Sequence, residues 1–359
     1  MQQSYAGRRA RSSRHVEALA SGRCAVRVTI AAIARHAGVS RATVDRVLNQ
    51  RGDVSADTER VVLLSARALG FGHRLEMVPT RLLRICVLMQ APANPYYRLL
   101  ADGFAAANRH FAPARVASYA SHIDVDEPES IARKLDRVAA EYDALVIVAP
   151  ARPEVQDRVR EIADRMPVVA IATGLDRDTP HRYVGPDNYR AGRLAGELMG
   201  RMMGPRTGVL VVGGLASFMG HLQRRAGFRD VLAESYAQLR VAGVIESGDQ
   251  GNAAAAAIMR ALRDDPAIGG IYNITQGNLE IVNRAIEIRV GERPIIVCHD
   301  LTPVNEQLLR QGRVDVVLDQ DPVLEARRAV EIVLHHYGRF EGDAPAGEIP
   351  IRPVFREGL

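Results

Sequence analysis

The chain has few cysteines, almost no lysine and no long apolar run. Its 359 residues hold three cysteines, Cys24, Cys86 and Cys298. They are widely spaced and form no CxxC pair, which argues against a structural zinc site and a disulfide framework and favours a reduced, cytoplasmic setting. No apolar stretch approaches the ~18–20 residues of a membrane span, so an integral membrane protein is excluded. An export signal would need an apolar core of ~7–15 residues after its basic start. The longest stretch near the N-terminus, Val16 to Ala20, is interrupted by Glu17, so no export signal is expected. Lys134 is the sole lysine. A GC-rich genome accounts for that choice of arginine, but not for where the arginines fall.

Their distribution is uneven. The composition is globular, with 47% hydrophobic and 25% charged residues. Residues 1–84 hold 15 arginines against 6 acidic residues, a surplus of nine in a chain whose net charge is +5. A basic N-terminal quarter on a mildly acidic body suggests a polyanion-binding module joined to a domain with another task. Residues 1–26 lack apolar periodicity and read as a disordered basic arm.

Helical spacing begins after Val28. Ile30, Ile33, Ala34 and Ala37 define a first helix with Thr29 as N-cap. Gly38 breaks it, Ser40 caps a second helix carrying Val44, Val47 and Leu48, and Ser55 caps a third that runs to Gly70. This predicts an all-α unit over 27–74 and a linker over 75–83. Beyond it, short apolar runs alternate with helical patterns. The predicted strands are 84–89, 116–119, 144–148, 168–172, 208–212, 241–245, 270–273, 294–298 and 314–318. Such alternation implies parallel sheets with helices on both faces. About 270 residues of it are too many for one core, so two lobes are expected. A weak internal echo agrees: RICVLMQ and TGVLVVGG each lead to a helix with a Gly-Phe pair, Gly103-Phe104 and Gly227-Phe228.

The segment VTIAAIARHAGVSRATVDRVLNQRGDVSADTERVVLLSARALGF resembles the DNA-binding domain of the LacI (lactose-repressor) family, through AGVS, ATVDRVLN, VSADTERV and the closing ALGF. The second helix of such a helix-turn-helix enters the major groove of double-stranded DNA with its N-terminal residues at the base edges. Arg41 and Arg46 offer the donor fork that matches guanine, and Ala42 offers apolar contact with a thymine methyl. Ser40, at a helix start, suits a phosphate. The resemblance implies that Thr29, Asn49, Ser55 and Thr58 hold the DNA backbone as well. Plain N-capping explains Thr29, Ser40 and Ser55 equally well, and a solvated basic face is the competing account of the arginines. The family's hinge helix is in doubt here, because Pro79 interrupts it and its central leucine is missing. Leu75 and Met77 are the remaining candidates for a minor-groove wedge.

The rest, 84–357, resembles the type I periplasmic-binding-protein fold, through NPYY, VGPDNYRAGRLAGELM, RRAGF, VCHD and LDQDP. The expected architecture is thus an all-α helix-turn-helix domain followed by a two-lobed α/β domain. The first lobe is expected at about 84–185 and 322–345, the second at about 186–321 and 346–357. Ligands of open α/β sheets sit beyond the carboxyl ends of strands. Position in the family pattern makes Arg224, Asp300 and Gln320 the main effector contacts, with Asn94, Thr173, Thr275 and Asn278 as further polar candidates. Arg224 as a surface arginine and Asp300 as a helix cap are the competing accounts. Tyr96, Tyr97 and Phe218 are placed to stack on a sugar ring, or simply to pack. One positive charge, one negative charge and one amide suit a neutral monosaccharide or polyol.

His299-Asp300 invites a catalytic or metal reading, but no further ligand stands at metal spacing. VVGGLASFMG fits neither GxGxxG nor GxSxG. No enzyme activity, metal or cofactor is expected. The resemblance implies a ligand-responsive, sequence-specific transcriptional regulator, by family default a repressor, acting as a homodimer on a near-palindromic operator without a membrane partner. The alternative is a solute-binding or carbohydrate-active protein on the same two-lobed fold, without regulatory DNA binding.

Overall fold

The computed structural model describes residues 28–49, 51, 54–71, 81–213, 217–246, 251–275, 282, 283, 286, 287 and 292–359. The basic arm, the linker positions Leu75, Met77 and Pro79, and Asn278 lie outside the described residues.

Three helices open it: α1 (Ile30–Ala37), α2 (Arg41–Leu48) and α3 (Ala56–Ala68). Each expected cap is in place. The hydroxyls of Thr29, Ser40 and Ser55 accept from the backbone N–H groups of Ala32, Thr43 and Thr58 at 3.2, 3.0 and 3.3 Å. Gly38 ends α1 in the left-handed region, with φ 66°. Ile33, Val44, Val62 and Ala66 close a small core of their own.

The first lobe runs β1 (Leu83–Gln90), α4 (Pro95–His110), β2 (Val116–Ile123), α5 (Pro128–Glu141), β3 (Ala144–Ile147), α6 (Pro153–Ala163), β4 (Val168–Ile171) and β5 (Arg182–Val184). Its sheet has the order β2-β1-β3-β4-β5 and is parallel throughout. The second lobe contains α7 (Asn188–Met202), β6 (Gly208–Val212), α8 (Met219–Ser235), β7 (Arg240–Ile245), α9 (Gly251–Asp264), β8 (Ile268–Asn273), β9 (Ile295–His299), α10 (Pro303–Arg310) and β10 (Val316–Asp319). The chain then returns to the first lobe through α11 (Pro322–His336) and ends in the second with β11 (Arg352–Val354). That sheet has the order β11-β10-β9-β8-β6-β7, with β11 alone antiparallel. Each sheet buries apolar side chains on both faces.

The chain passes between lobes three times, around 185–187, 320–321 and 350–351. The last passage comes later than the pattern suggests, because Ile349 still packs in the first lobe's core while Ile351 joins the second's. Strands β5 and β11 have only three residues each and escape recognition as apolar runs. The Gly-Phe echo has a structural counterpart. A Cβ at Gly103 would lie 2.8 Å from that of Ala326 on α11, and one at Gly227 would lie 2.0 Å from the Tyr189 carbonyl on α7. Each lobe's first βα helix thus packs tightly against the helix that crosses in from the other lobe.

The three-helix unit is docked on the first lobe. Ala56 joins that lobe's core, Arg60 Nε donates to the His336 carbonyl at 2.8 Å, and Arg67 donates to the carbonyls of Gly338 and Phe340. The last carbonyl of α11, that of His336, and two carbonyls just past the helix are thereby met by α3.

Candidate functional site

In open α/β sheets the reversal of strand order leaves a crevice at the carboxyl edge. These reversals fall between β1 and β3 in one sheet and between β6 and β8 in the other. Four described non-glycine residues have positive φ, and three of them stand just past strand ends facing this crevice: Ala172 (60°) after β4, Asp300 (66°) after β9 and Asp321 (55°) after β10. Strain of this kind costs about 1–3 kcal/mol per residue and gathers where geometry serves a site.

Arg224 organises the second-lobe side. It projects from α8 and is only 4% exposed, which rules out an ordinary surface arginine. Its Nε donates to Asn188 Oδ1 at 2.7 Å, Nη1 to the Ile274 carbonyl at 3.1 Å and Nη2 to Gln320 Oε1 at 3.0 Å. Gln320 Nε2 in turn donates to Asp300 Oδ1 at 2.6 Å. The relay thus joins α7, α8, the end of β9 and the crossing after β10. Burial pushes the Asp300 carboxyl up to about 6 against the opposing pull of Arg224. Asp300 is not a helix cap: Thr302 caps α10, accepting from Asn305 N at 3.3 Å.

Across the crevice, Thr173 Oγ1 accepts from the Gly220 N–H at 3.0 Å, which ties the two lobes directly. Phe218 is buried in the first lobe's core although it leads into a second-lobe helix, with its ring 5.2 Å from that of His221. Tyr96 and Tyr97 sit in the first turn of α4 rather than in the loop before it. The Tyr96 hydroxyl donates to Glu325 Oε2 at 2.8 Å, and the Tyr97 hydroxyl accepts from Gln90 Nε2 at 2.9 Å. Asn94 caps α4 by accepting from Tyr96 N at 3.0 Å. Thr275 is half-buried at the end of β8. The structure therefore gathers Thr173, Phe218, Arg224, Asp300, Gln320 and Tyr96 at one crevice and gives Asn94 a capping role.

Three participants were not anticipated. Asn188 bridges the lobes, donating to the Ala172 carbonyl at 2.9 Å and the Tyr183 hydroxyl at 3.1 Å while it accepts from Arg224. Its signal was its place at the start of α7, directly after a crossing. Glu325 was visible as a carboxylate inside an apolar helical pattern. Tyr183 lies on the overlooked β5. His299, whose neighbour Asp300 invited a metal or catalytic reading, pairs its Nε2 with the Tyr272 hydroxyl at 2.9 Å, and burial lowers its basicity well below the usual imidazole range. Among the described residues no group of three His, Cys, Asp or Glu side chains stands close enough to hold a metal ion.

The other face belongs to the three helices. Arg41, Ala42 and Arg46 are exposed on α2, as are Thr29, Ser40, Asn49 and Ser55 around it, and Thr58 is half-buried. Asn49 Nδ2 donates to Asp45 Oδ1 at 2.6 Å, and Ser40 and Ser55 share hydroxyl hydrogen bonds with Thr43 and Thr58. Docking through α3 leaves the amino end of α2 uncovered.

Two family descriptions match the chain in sequence: the lacI family of bacterial regulatory proteins over residues 29–72, and the periplasmic binding protein domain over residues 85–339. The chain belongs to the lacI family and carries a periplasmic binding protein domain as its body. LacI-type regulators couple DNA binding to a sensor body, so this chain is a DNA-binding transcriptional regulator. Among curated proteins it is similar to a D-ribose/D-allose-binding protein of Pseudomonas aeruginosa, 24% identical over 264 residues, covering 70% of this chain and 81% of that one. Among solved structures, GanP, a glucose-galactose binding protein from Geobacillus stearothermophilus, superposes with TM-score 0.68 at 22% identity, covering 78% of this chain and 99% of that one. A candidate LacI transcriptional regulator from Bacteroides fragilis also superposes with TM-score 0.68, at 16% identity, covering 77% of this chain and 98% of that one. At these identities the structural likeness is one of fold. Among the described residues, no helix is long and apolar enough to cross a membrane.

Proposed function

We propose that this lacI-family regulator senses a neutral monosaccharide or polyol in the crevice between its lobes and binds operator DNA as a homodimer, acting as a repressor in the cytoplasm. The carrying observation is the buried relay Asn188–Arg224–Gln320–Asp300, which lies on the second lobe's side of the crevice and is tied to the first lobe where Asn188 donates to the Ala172 carbonyl. Arg224 has five N–H groups and the relay engages three, so donors remain for ligand hydroxyls, and Asp300 supplies an acceptor. Thr173 and Thr275 add hydroxyls, Asn278 an amide, and the rings of Tyr96 and Phe218 an apolar wall. Asn94 contributes by fixing the start of α4. The similar proteins described as binding ribose, allose, glucose or galactose support a sugar of this size.

On the DNA side, Arg41, Ala42 and Arg46 read base edges, while Thr29, Ser40, Asn49, Ser55 and Thr58 hold phosphates. One short helix reads too few base pairs for high specificity, and two-fold pairing supplies a second half-site. The chain works by binding, with no reaction of its own. The solute-binding alternative leaves the lacI match over 29–72 without a purpose.

The test joins two measurements on the full chain. Bound DNA is selected from random sequence, and melting is followed with D-ribose, D-allose, D-glucose and D-galactose. A palindromic consensus and a stabilising sugar are expected. Arg224→Ala should abolish the sugar response while operator binding without sugar persists. Equal sugar response in Arg224→Ala would remove the relay from the sensor.

A further inference from the structure

One buried carboxyl group beside the relay has no part in it. Glu325 stands in the first turn of α11, five residues past Gln320, and is fully buried. Ala326, Ala329 and Val330, which follow it on the buried side of that helix, are apolar. Its Oε2 accepts from the Tyr96 hydroxyl, and its Oε1 has no hydrogen-bond partner among the described residues. A polar atom taken out of water without a partner has lost hydration for nothing in return, so such atoms in native folds call for an explanation. A ligand in the adjoining crevice is the available one.

The protonation state follows from the surroundings. The charged and titratable groups facing Glu325 are Tyr96 from α4, Tyr183 from β5, Arg224 from α8, Asp300 past β9 and Asp319 at the end of β10. Burial pushes the Glu325 carboxyl well above its usual range. The charge of Asp300 adds to this, while the Tyr96 hydrogen bond and Arg224 oppose it. A neutral carboxyl has one O–H to give and one carbonyl oxygen that accepts. Tyr96 already donates to Oε2, which leaves the proton on Oε1, facing no acceptor. The crevice then holds one Arg224 cation and one Asp300 anion, a balance that suits an uncharged ligand.

We propose that Glu325, as the un-ionised acid, is a further effector contact whose Oε1–H donates to a hydroxyl oxygen of the bound neutral sugar or polyol. This rests on the effector reading above and adds a residue to it. A hydroxyl is the complementary group because it accepts from Glu325 while its own proton remains free for Asp300. An ammonium group would instead require Glu325 to ionise beside Asp300.

The experiment uses the full chain and the same four sugars, with affinity measured by calorimetry between pH 6 and pH 9 and melting without sugar recorded as the check on folding. Glu325→Gln keeps the shape and a donor, so it should bind within about threefold of the parent, whereas Glu325→Ala should lose about tenfold or more. Tyr96→Phe, which removes only the hydroxyl, should also stay within about threefold. Parent affinity should decline as the pH rises into the range where Glu325 ionises, a decline that Glu325→Gln should lack, while any change near pH 6 from Asp300 should be common to both. Parent-like binding by Glu325→Ala overturns the proposal and leaves the effector reading intact. Equal losses in Tyr96→Phe and Glu325→Ala overturn it too, since Glu325 would then act only by holding Tyr96. Preference of the parent for D-glucosamine over D-glucose, lost in Glu325→Gln, overturns it in favour of an ionised carboxylate holding an ammonium. If none of the four sugars binds the parent, the effector reading falls first and takes the proposal with it.

Discussion

Glu59 of α3 and Arg339, just past α11, form an ion pair with an N···O distance of 2.5 Å, and their side chains are 4% and 1% exposed. The pair joins the DNA-binding unit to the sensor body across 280 positions of sequence. Arg339 also donates to the carbonyls of Ala114 and Arg115 at 3.1 and 3.0 Å, so its guanidinium is held in place from the body side.

Removing one partner leaves the other buried without a counter-charge, a loss of about 3–5 kcal/mol where the site cannot relax. Here it can relax by undocking. Glu59→Ala is therefore expected to release the three-helix unit, so that calorimetry resolves its melting from that of the body. Replacing both residues together by Leu and Met should cost less than either single change. A single unchanged transition in Glu59→Ala would show that the pair contributes nothing to docking.

The exposed arginines of α2 lead to a different expectation. Arg41→Ala and Arg46→Ala should each cost about 1–3 kcal/mol at the selected operator and relax preference at one base position. Binding of the parent should weaken steeply with added salt, because phosphate contacts release counterions. Operator affinity measured by fluorescence anisotropy would decide, and no change in either variant would exclude them from readout.

Asp300 predicts a pH dependence of stability. Its carboxyl is pushed up to about 6 in the folded chain, from the ordinary aspartate value of 3.8, mainly by burial. Below the unfolded value both states hold the proton and the contribution is fully present. Between roughly 4 and 6 the folded state holds a proton that the unfolded state has released, so this contribution is lost as pH rises and is absent above the folded value. The difference is on the order of 3 kcal/mol. Buried neutral His299 has the opposite sign, losing its contribution as pH falls below the ordinary imidazole range. The comparison of parent with Asp300→Asn isolates the aspartate: the parent's urea stability should fall relative to the variant's between pH 4 and pH 6. Parallel curves would contradict it.

Gly227 sits three residues past Arg224 on α8, where a Cβ would come 2.0 Å from the Tyr189 carbonyl. Gly227→Ala must push α8 away from α7 and draw Arg224 off Asn188. Overpacking of this kind costs about 1–3 kcal/mol. Lower melting and weaker sugar binding are expected together, with DNA binding retained. Sugar binding at parent strength would mean that the relay tolerates the displacement.

Element type was legible wherever a run was long or a cap explicit. Thr29, Ser40 and Ser55 declared three helix starts, and the apolar runs named nine strands. What escaped was short or depended on distant partners. β5 and β11 have too few residues to carry a period, and Ile349 is assigned to its lobe only by what it packs against. Within the site, Arg224, Asp300 and Gln320 followed from family pattern, whereas Asn188 and Glu325 did not. Their roles depend on helices brought together from opposite ends of the chain, which no local window contains. Asn94 caps α4, the backbone role that a polar residue at a strand–helix turn commonly fills.

Helix α11 begins beside Gln320 and ends where Arg60 meets the His336 carbonyl. Its 15 residues make a rod of about 22 Å. A tilt of ~5° at the crevice end would carry the far end sideways by ~2 Å over that length, farther than a hydrogen bond stretches before it breaks. The dock at Arg60, Arg67 and Arg339 is made of contacts that tolerate little such travel. Sensor and DNA-binding unit are therefore joined mechanically by a stiff lever, in addition to the peptide chain that strings them together.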